Sequence, residues 1–406
     1  MKKNVKKKNK KWLKFRHKVV HFLLKPPIHF LCRLMYGIKI EKYKVKDKRP
    51  YLILYNHQTA FDQFFVGCAF NKIIYYMATE DIFSNGFVSS LIKYLVEPIP
   101  IKKQTTDIKA ILNCIRIGKE GGSLCIAPEG NRTYSGETVY MSPAISSLAR
   151  KLGMPIALFR IEGGYGVQPR WSDGTRKGKM RGYVSRVIDP AEYKEMTDDQ
   201  LFEIIKNELY VNEAKIDGVY KSSHLAEYLE RTIYTCPGCG LAHIETNGDI
   251  IECKNCGKQI RYLPTKELKG VNCEFPHRFV LDWYNAQNDY INSLDLSEYN
   301  DKPMFVDYAS VKEVIPNVKK IPMYENAKIA LYGNRIEVSS EGNHIFALDE
   351  TSAVTVLGRN KLNIYHGGKI YQLKGNKRFC ALKYVHIYHR YTNTLKGDEN
   401  VKFLGL

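Results

Sequence analysis

A histidine and an aspartate stand five residues apart in the stretch YLILYNHQTAFDQFF, residues 51–65. The run YLILY that precedes them is apolar and typical of a buried strand. Five residues of a regular helix turn through about 500°, so His57 and Asp62 would lie on different faces of one helix. They can pair if His57 lies in the turn before a helix and Asp62 lies in its first turn. Asn56 and Thr59 are suitable turn and capping residues there.

This pairing would make His57 a general base. A carboxylate that accepts one imidazole N–H fixes the tautomer and stabilises the imidazolium, so the other ring nitrogen can take a proton from a substrate hydroxyl. The sequence places no obvious serine or cysteine nucleophile beside His57. Direct attack of a substrate hydroxyl on an activated acyl group is therefore favoured over a covalent acyl-enzyme. The alternative is a strand-end histidine that only bonds a helix cap.

A second group of polar residues follows another apolar run, in the stretch SLCIAPEGNRTYSG. Gly130 permits a tight turn, and the planar guanidinium of Arg132 can grip a phosphate through two hydrogen bonds. Between the two groups, the stretch EPIPIKK ends with Lys102 and Lys103, which can add positive charge to the same phosphate. A histidine base beside a phosphate-binding site predicts a phosphorylated alcohol as the acceptor.

In these residues the chain resembles the 1-acylglycerol-3-phosphate acyltransferases, also called lysophosphatidate acyltransferases. That family is identified by an N-H-x4-D block followed by an E-G-T-R block, which stand here as NHQTAFD and EGNR. Its intermediate and fourth blocks match IPIKK and GMPIALFRI. The resemblance covers about residues 40 to 215.

The resemblance implies a role for each matching residue. His57 would be the base and Asp62 its orienting partner. The acceptor phosphate site would consist of Lys103, Glu129, Gly130 and Arg132, the first and last binding the phosphate and the other two shaping the loop. The reaction would move a fatty acyl group from acyl-coenzyme A or an acyl-acyl carrier protein to a lysophospholipid, giving phosphatidate from 1-acylglycerol-3-phosphate.

The chain departs from the family pattern at two positions. Asn131 stands where the family has threonine, and Lys103 stands where it usually has arginine. A lysine is a point charge without the bidentate fork of arginine, which weakens phosphate binding without abolishing it. The acceptor can therefore differ from lysophosphatidate.

The first fifty residues carry most of the positive charge. They contain 18 Lys or Arg and two acids, which is +16 of the formal net charge of +20. Within them, one helical face holds Trp12, Val19, Val20, Leu23 and Leu24, and another holds Lys14, Lys18, His21 and Lys25. Pro26 and Pro27 should end this helix, and a second one at about residues 28 to 38 would fold back as a hairpin.

Lys25 and Arg33 interrupt the apolar run, and no signal-peptide cleavage pattern follows. We therefore expect an amphipathic anchor that binds the cytoplasmic face of the cell membrane, peripheral or monotopic, and does not cross it. The alternative is a helix packed on the protein's own core behind a solvated basic tail.

Four cysteines form the pattern C-x2-C-x13-C-x2-C: Cys236, Cys239, Cys253 and Cys256. Each pair stands in a glycine-containing knuckle, and four thiolates at this spacing can close a tetrahedral site around a structural Zn²⁺ that leaves no open position for chemistry. His243 is surplus to this shell. The remaining cysteines are expected to be small core residues: Cys32, Cys68, Cys114, Cys125, Cys273 and Cys380.

Alternating strand-like and helix-like segments predict an α/β fold, a glycerolipid-acyltransferase-like sheet flanked by helices. Short β-like pieces with glycine turns predict a pleckstrin-homology-like β module near the end of the chain. The expected domains are anchoring helices at 1–50, an acyltransferase domain at 51–230, a zinc ribbon at 231–263, a linker with one helix at 264–324, and the β module with a closing helix at 325–406.

A second class of function uses the same features without catalysis. The basic N-terminus and the ribbon could belong to a scaffold that binds a membrane or nucleic acid. The stretch TCPGCGLAHIETNGDIIEC contains no lysine or arginine, however, so nucleic acid is not expected as a partner. The enzyme is favoured, with a phospholipid surface, a lysophospholipid and an acyl thioester as its partners.

Overall fold

The computed structural model describes residues 11–45, 47–79, 83, 87–101, 107–138, 140–316, 318–340, 342–397 and 404. Residues 1–10 of the expected anchor, together with Lys102 and Lys103, lie outside this part of the chain. The described residues form an α/β domain, a four-cysteine ribbon and a curled antiparallel β half-barrel, in that order. The predicted fold class is confirmed.

The α/β domain contains seven strands: β1 (Ile38–Ile40), β2 (Leu52–Tyr55), β3 (Ile74–Thr79), β4 (Ile99–Ile101), β5 (Ser123–Ile126), β6 (Ile156–Glu162) and β7 (Met180–Ile188). They form one sheet in the order β1-β7-β6-β2-β5-β3-β4. Every neighbouring pair is parallel except β6 and β7. The sheet is thus parallel throughout its centre.

Eight helices belong to this part of the described chain: α1 (Phe15–Tyr36), α2 (Asp62–Ala69), α3 (Phe87–Leu95), α4 (Ile108–Lys119), α5 (Ala144–Leu152), α6 (Gly164–Val167), α7 (Pro190–Tyr193) and α8 (Asp198–Leu209). They cover both faces of the sheet. Leu52 and Leu54 of β2 enter a core with α4, α5 and α8, while Ile53 and Tyr55 enter a core with α1 and α2. A parallel strand buried on both faces needs apolar side chains at every position, which explains the run YLILY.

The central strands end at one edge of the sheet. β2 and β5 are parallel neighbours, with Leu54 opposite Ile126, and β3 and β4 continue the parallel set. The loops that leave the carboxyl ends of β2 and β5 therefore start side by side. In open α/β sheets this edge is the usual place for ligands.

Helix α1 is continuous through Pro26 and Pro27. The expected break at these prolines, with a second helix folded back as a hairpin, is wrong. Each interior proline costs about 3 kcal/mol of helix stability, but both halves of α1 are fixed to the same domain. The contacts are His17 Nδ1 with Tyr75 Oη at 2.9 Å, Lys25 Nζ with the Phe70 carbonyl at 2.6 Å and Tyr36 Oη with Gln168 Oε1 at 3.1 Å. We attribute the continuity of the helix to this packing.

The ribbon consists of six short strands: β8 (Thr235–Cys236), β9 (Gly240–Leu241), β10 (Ile244–Asn247), β11 (Ile250–Cys253), β12 (Gln259–Tyr262) and β13 (Leu268–Gly270). β8 pairs with β9, and β10 to β13 form an antiparallel sheet in chain order. Because β13 pairs with β12, this sheet extends to Gly270 and past the expected boundary at 263.

Helix α9 (Val280–Ser293) follows the ribbon and leads into the half-barrel. The half-barrel strands are β14 (Phe305–Ile315), β15 (Lys319–Leu331), β16 (Arg335–Ser339), β17 (Asn343–Ala347), β18 (Thr351–Leu357), β19 (Lys361–His366) and β20 (Lys369–Gly375), and helix α10 (Leu382–Leu395) closes it. The strand order is β17-β16-β15-β14-β20-β19-β18, antiparallel throughout.

The half-barrel begins at Phe305, inside the region expected to be a linker. Pro316 lies in the turn between β14 and β15, and Pro322 lies within β15. β15 pairs with β16 only over its last four residues, so Pro322 lies on an edge that no described strand covers. Prolines are tolerated on edge strands, where their missing N–H can face the uncovered side, so Pro322 is compatible with a strand.

One apolar core joins the three parts. Tyr134 and Trp171 of the α/β domain belong to the same cluster as Ile251 of the ribbon, Trp283 of α9 and Val385 of α10. Independent modules on flexible linkers would each have a core of their own. The ribbon and the half-barrel are therefore packed onto the α/β domain.

Candidate active site

His57 and Asp62 meet in the loop between β2 and α2. His57 follows the strand end, and Asp62 is the first residue of the helix. The distance from His57 Nδ1 to Asp62 Oδ2 is 2.8 Å. With Nδ1–H donated to the carboxylate, His57 Nε2 carries the free lone pair and can accept a proton.

The Asp62 carboxylate is fully buried and organises the whole turn. It accepts hydrogen bonds from Gln58 N at 2.6 Å, from Thr59 N at 2.9 Å and from Thr59 Oγ1 at 2.6 Å. The acceptor for the His57 N–H is therefore held in place by the backbone.

The side chain of His57 is 21% exposed. Burial lowers its pKa below the usual value of 6.5, and the Asp62 carboxylate acts in the opposite direction without cancelling this effect. The imidazole is consequently neutral near pH 7, which is the form a general base requires.

Glu129 lies in the loop after β5 and joins it to the loop after β2. Its Oε1 accepts a hydrogen bond from His57 N at 2.6 Å, and Thr133 N donates to the His57 carbonyl at 3.2 Å. Burial raises the pKa of Glu129 to about 8. The Glu129 carboxyl group is thus hydrogen-bonded to the backbone of His57.

Gly130 occupies the left-handed region, with φ of 70°. A Cβ atom at this position would meet nothing within 4 Å, so the requirement for glycine is conformational and not steric. The turn directs the chain towards Arg132, two residues further on.

Arg132 forms no ion pair in the described part of the chain, and the Asp62 carboxylate acts on it only from a longer distance. Its Nη1 is buried without a hydrogen bond. Burial, together with the nearby Arg170 guanidinium, lowers the pKa of Arg132 to about 10. An arginine still retains its proton at neutral pH, and a partly buried cation in this state is stabilised by an anion.

The structure therefore brings together four of the residues expected at this site: His57, Asp62, Glu129 and Arg132. Gly130 forms the turn between the last two. Lys103 lies outside the described residues, but β4, which leads to it, ends at Ile101 on the same edge of the sheet.

Arg170 is a residue of this site that the sequence analysis missed. It is 4% exposed, and its Nη1 donates to the Arg132 carbonyl at 2.8 Å. It stands between Pro169 and Trp171, outside the four family blocks and in no periodic pattern. No local signal in the sequence draws attention to it.

The four ribbon cysteines converge on one point. Their Sγ atoms all lie within 4.8 Å of one another, with 3.8 Å between Cys236 and Cys256 and 3.9 Å between Cys239 and Cys253. Four Zn–S bonds of about 2.3 Å would space the sulfur atoms by about 3.8 Å. The cluster therefore fits a tetrahedral metal ion, and the exposed His243 is not part of it.

The other six cysteines are free thiols. Cys32, Cys68, Cys114, Cys125 and Cys380 are buried, and Cys273 is half-buried.

An apolar surface lies on the outer side of α1 and α3. It comprises Phe15, Phe22, Leu23, Phe30 and Leu34 of α1 with Phe87, Leu91 and Tyr94 of α3, all exposed. The two helices are joined through Arg16, whose Nε donates to the Tyr94 carbonyl at 2.8 Å. In the described ranges, every helix is too short or too polar to cross a membrane.

Comparison with known proteins finds a match to one family model in part of the chain. Residues 37–161 match the family model described as Acyltransferase. The chain is also similar to a solved structure, the 1-acyl-sn-glycerophosphate (LPA) acyltransferase PlsC from Thermotoga maritima, with a TM-score of 0.40 and 19% identity. That similarity covers 49% of this chain and 83% of the other. No curated protein matches.

Proposed function

We propose that the protein moves a fatty acyl group from an acyl thioester to the free hydroxyl of a lysophospholipid, since residues 37–161 match the acyltransferase family model. The proposed acceptor is 1-acylglycerol-3-phosphate and the product phosphatidate. The observation that carries this proposal is the contact of 2.8 Å between His57 and Asp62, on a loop tied to the unpaired cation of Arg132.

In the proposed reaction, His57 Nε2 takes the proton of the acceptor hydroxyl as its oxygen attacks the thioester carbonyl. The Asp62 carboxylate stays ionised and stabilises the imidazolium that forms. Collapse of the tetrahedral intermediate breaks the C–S bond, and the imidazolium returns the proton to the departing thiolate. One O–H and one C–S bond are lost, while one ester C–O and one S–H bond are formed.

The acceptor phosphate is proposed to bind Arg132, with Lys103 adding charge from the loop after β4. Gly130 gives the loop its turn, and Glu129 fixes the loop to the His57 backbone. In this division of roles, the Arg132 contact and the base belong to two loops joined by the hydrogen bond from His57 N to Glu129 Oε1. The acyl donor can be a thioester of coenzyme A or of acyl carrier protein, because the reaction at the thioester carbonyl is the same.

The apolar surface of α1 and α3 is proposed to bind the membrane that holds the acceptor. Exposed apolar patches of this kind mark membrane or protein contacts, and the basic first residues of the chain suit anionic lipids at the cytoplasmic face. The protein would then meet a lysophospholipid without leaving the bilayer surface.

The metal of the ribbon is proposed to be a structural zinc ion, bound by Cys236, Cys239, Cys253 and Cys256. A shell of four thiolates leaves no position for a substrate. The ion would hold the ribbon fold, and the acyl transfer does not pass through it.

The test is acyl transfer from oleoyl-coenzyme A to lysophosphatidate in liposomes. We expect His57→Ala to remove activity almost completely, because the hydroxyl loses its base. His224→Ala is the matched control, since His224 Nδ1 also lies 2.8 Å from a carboxylate, that of Glu227, and the His224 side chain is exposed. The same assay with lysophosphatidylglycerol and glycerol-3-phosphate as acceptors ranks the three acceptors by their rates of acylation.

Equal activity of His57→Ala and the wild-type protein would refute the role of His57. If folded wild-type protein uses no acceptor with either coenzyme A or acyl carrier protein donors, the scaffold function is favoured.

A further inference from the structure

We propose that Arg170 is a second ligand of the acceptor phosphate and makes the site selective for phosphomonoesters. This inference rests on the proposed function, because it names the headgroup that the same site selects. Arg170 belongs to none of the sequence blocks that carry the family resemblance.

The charge of Arg170 is buried without a counter-charge. Its Nη1 donates to the Arg132 carbonyl at 2.8 Å, and its Nη2 lies 3.5 Å from Asn131 Oδ1. Both of these acceptors are neutral. Among the residues the structure describes, no carboxylate lies within ion-pair distance of Arg132 or Arg170. The Asp62 carboxylate acts on Arg132 only from a longer distance, so two neighbouring guanidiniums lack a directly bound anion.

Asp173 follows Arg170 closely in the sequence but does not neutralise it. The Asp173 carboxylate is bound by Arg231 Nη1 at 2.7 Å and by Arg359 Nη1 at 3.2 Å. Buried charges are stable when they are paired. An anion from outside the chain would supply the negative charge that Arg132 and Arg170 lack.

Aromatic packing fixes the direction of Arg170. Its guanidinium carbon lies 3.9 Å from the centre of the Tyr134 ring, and Tyr134 is stacked on Tyr284 of α9 at 6.5 Å with 12° between the rings. A cation over an aromatic face is held by attraction to the ring. The helix after the ribbon thus supports a residue of the acceptor site.

Two guanidiniums match the charge of a phosphomonoester. Such a group carries about −1.5 to −2 at pH 7, whereas a phosphodiester carries a single charge. The Arg132 loop is bonded to His57 through Glu129, so a phosphate held here belongs to a molecule within the same site. Arg170 would therefore favour lysophosphatidate over lysophosphatidylglycerol.

The experiment measures KM for three acceptors in Arg170→Gln and Arg170→Lys: lysophosphatidate, lysophosphatidylglycerol and the neutral monoacylglycerol. For lysophosphatidate we expect KM to rise about 10- to 100-fold in Arg170→Gln, the loss of one charge-assisted contact. A smaller rise is expected in Arg170→Lys, which keeps the charge without the fork. KM for monoacylglycerol, KM for the donor and the pH profile should stay at their wild-type values.

Arg176→Gln is the matched control. Arg176 is 3% exposed and lies over Trp171 and Tyr262, so this variant also removes a buried guanidinium from an aromatic platform. Thermal unfolding establishes which variants are folded. If Arg170→Gln is not folded, the KM values of Arg170→Lys are compared with those of the wild-type protein instead. A folded Arg170 variant that loses activity equally with all three acceptors, or keeps wild-type KM values for lysophosphatidate, overturns the proposal.

A binding measurement tests the phosphate site independently of the acyl transfer. Glycerol-3-phosphate is titrated into the full-length protein by calorimetry. Binding to the wild-type protein and weaker binding to Arg170→Gln would support the phosphate site even if no acceptor is acylated. If the wild-type protein binds neither glycerol-3-phosphate nor lysophosphatidate, the inference fails whatever the enzyme's activity.

Discussion

Asp62 acts on His57 through a network of hydrogen bonds and not through a single contact. Its carboxylate accepts from Gln58 N and Thr59 N as well as from the imidazole, so the backbone orients it before any substrate binds. A partner fixed in this way does not have to reorganise when the imidazolium forms. The turn NHQTAFD is therefore built around one buried charge.

For Asp62→Asn we expect kcat to fall roughly 100- to 10,000-fold, because an amide cannot fix the tautomer or stabilise the imidazolium. The pH dependence of kcat/KM gives a second measurement. The neutral imidazole is the active form and burial lowers its pKa, so activity should fall with a midpoint below 6.5 as the pH decreases. In Asp62→Asn the midpoint should move lower still, since the carboxylate raises this pKa.

The control for this variant is Asp198→Asn, which removes an exposed carboxylate from the first turn of another helix, α8. An Asp62→Asn enzyme with the wild-type kcat and pH profile would show that His57 acts without this partner.

At the scale of elements, α1 has two faces with different surroundings. One face is buried on the α/β domain through His17, Cys32 and Tyr36, while the other leaves Phe22 and Phe30 at 78% and 65% exposure. The buried face shows that the helix packs on the protein's own domain, and the proposed membrane contact concerns the exposed face alone. A helix fixed to the domain would hold the active site at a constant height above the bilayer.

We expect the double variant Phe22→Glu with Phe30→Glu to lose most binding to anionic liposomes in a flotation assay. Two charges in the apolar surface oppose insertion, and the thermal stability should change little because both side chains are exposed. Ile345→Glu is the control, since Ile345 is 58% exposed on the half-barrel. Flotation of the double variant equal to wild type would place membrane binding elsewhere.

For the whole molecule, the shared core makes the appended parts contribute to the stability of the catalytic part. Arg231 illustrates this: it donates to the Trp171 carbonyl at 2.7 Å and to the Lys377 carbonyl at 2.6 Å. A disturbance in the ribbon would reach Tyr134 and Trp171 through the same core.

The purified protein should contain about one zinc ion per chain, and Cys236→Ser with Cys253→Ser should remove it. Because the site contributes to folding, we expect a lower melting temperature and a loss of acyl transfer in this variant. Metal analysis and thermal unfolding measure the two effects. Cys273→Ser, at a half-buried thiol outside the cluster, should change neither. An unchanged zinc content in the double variant would rule out the four-cysteine site.

The sequence by itself determined features that depend on short stretches of chain. The strand-turn-helix order around His57 and Asp62 follows from an apolar run, turn residues and a five-residue spacing, and the four cysteines meet because each pair lies in its own tight turn. Alternating segments were sufficient for the α/β class. In each case the decisive interactions join residues that are close in sequence or follow a regular period.

Only the tertiary structure decided features that depend on contacts between distant segments. α1 passes through Pro26 and Pro27 because both of its halves pack on the α/β domain, and Pro322 belongs to a strand because one edge of β15 is uncovered there. Arg170 joins Arg132 through a loop that no local pattern marks, and it rests on a ring stack completed by Tyr284 from beyond the ribbon. The energy of such contacts is distributed over segments far apart in the chain, so it leaves no signature in either segment alone.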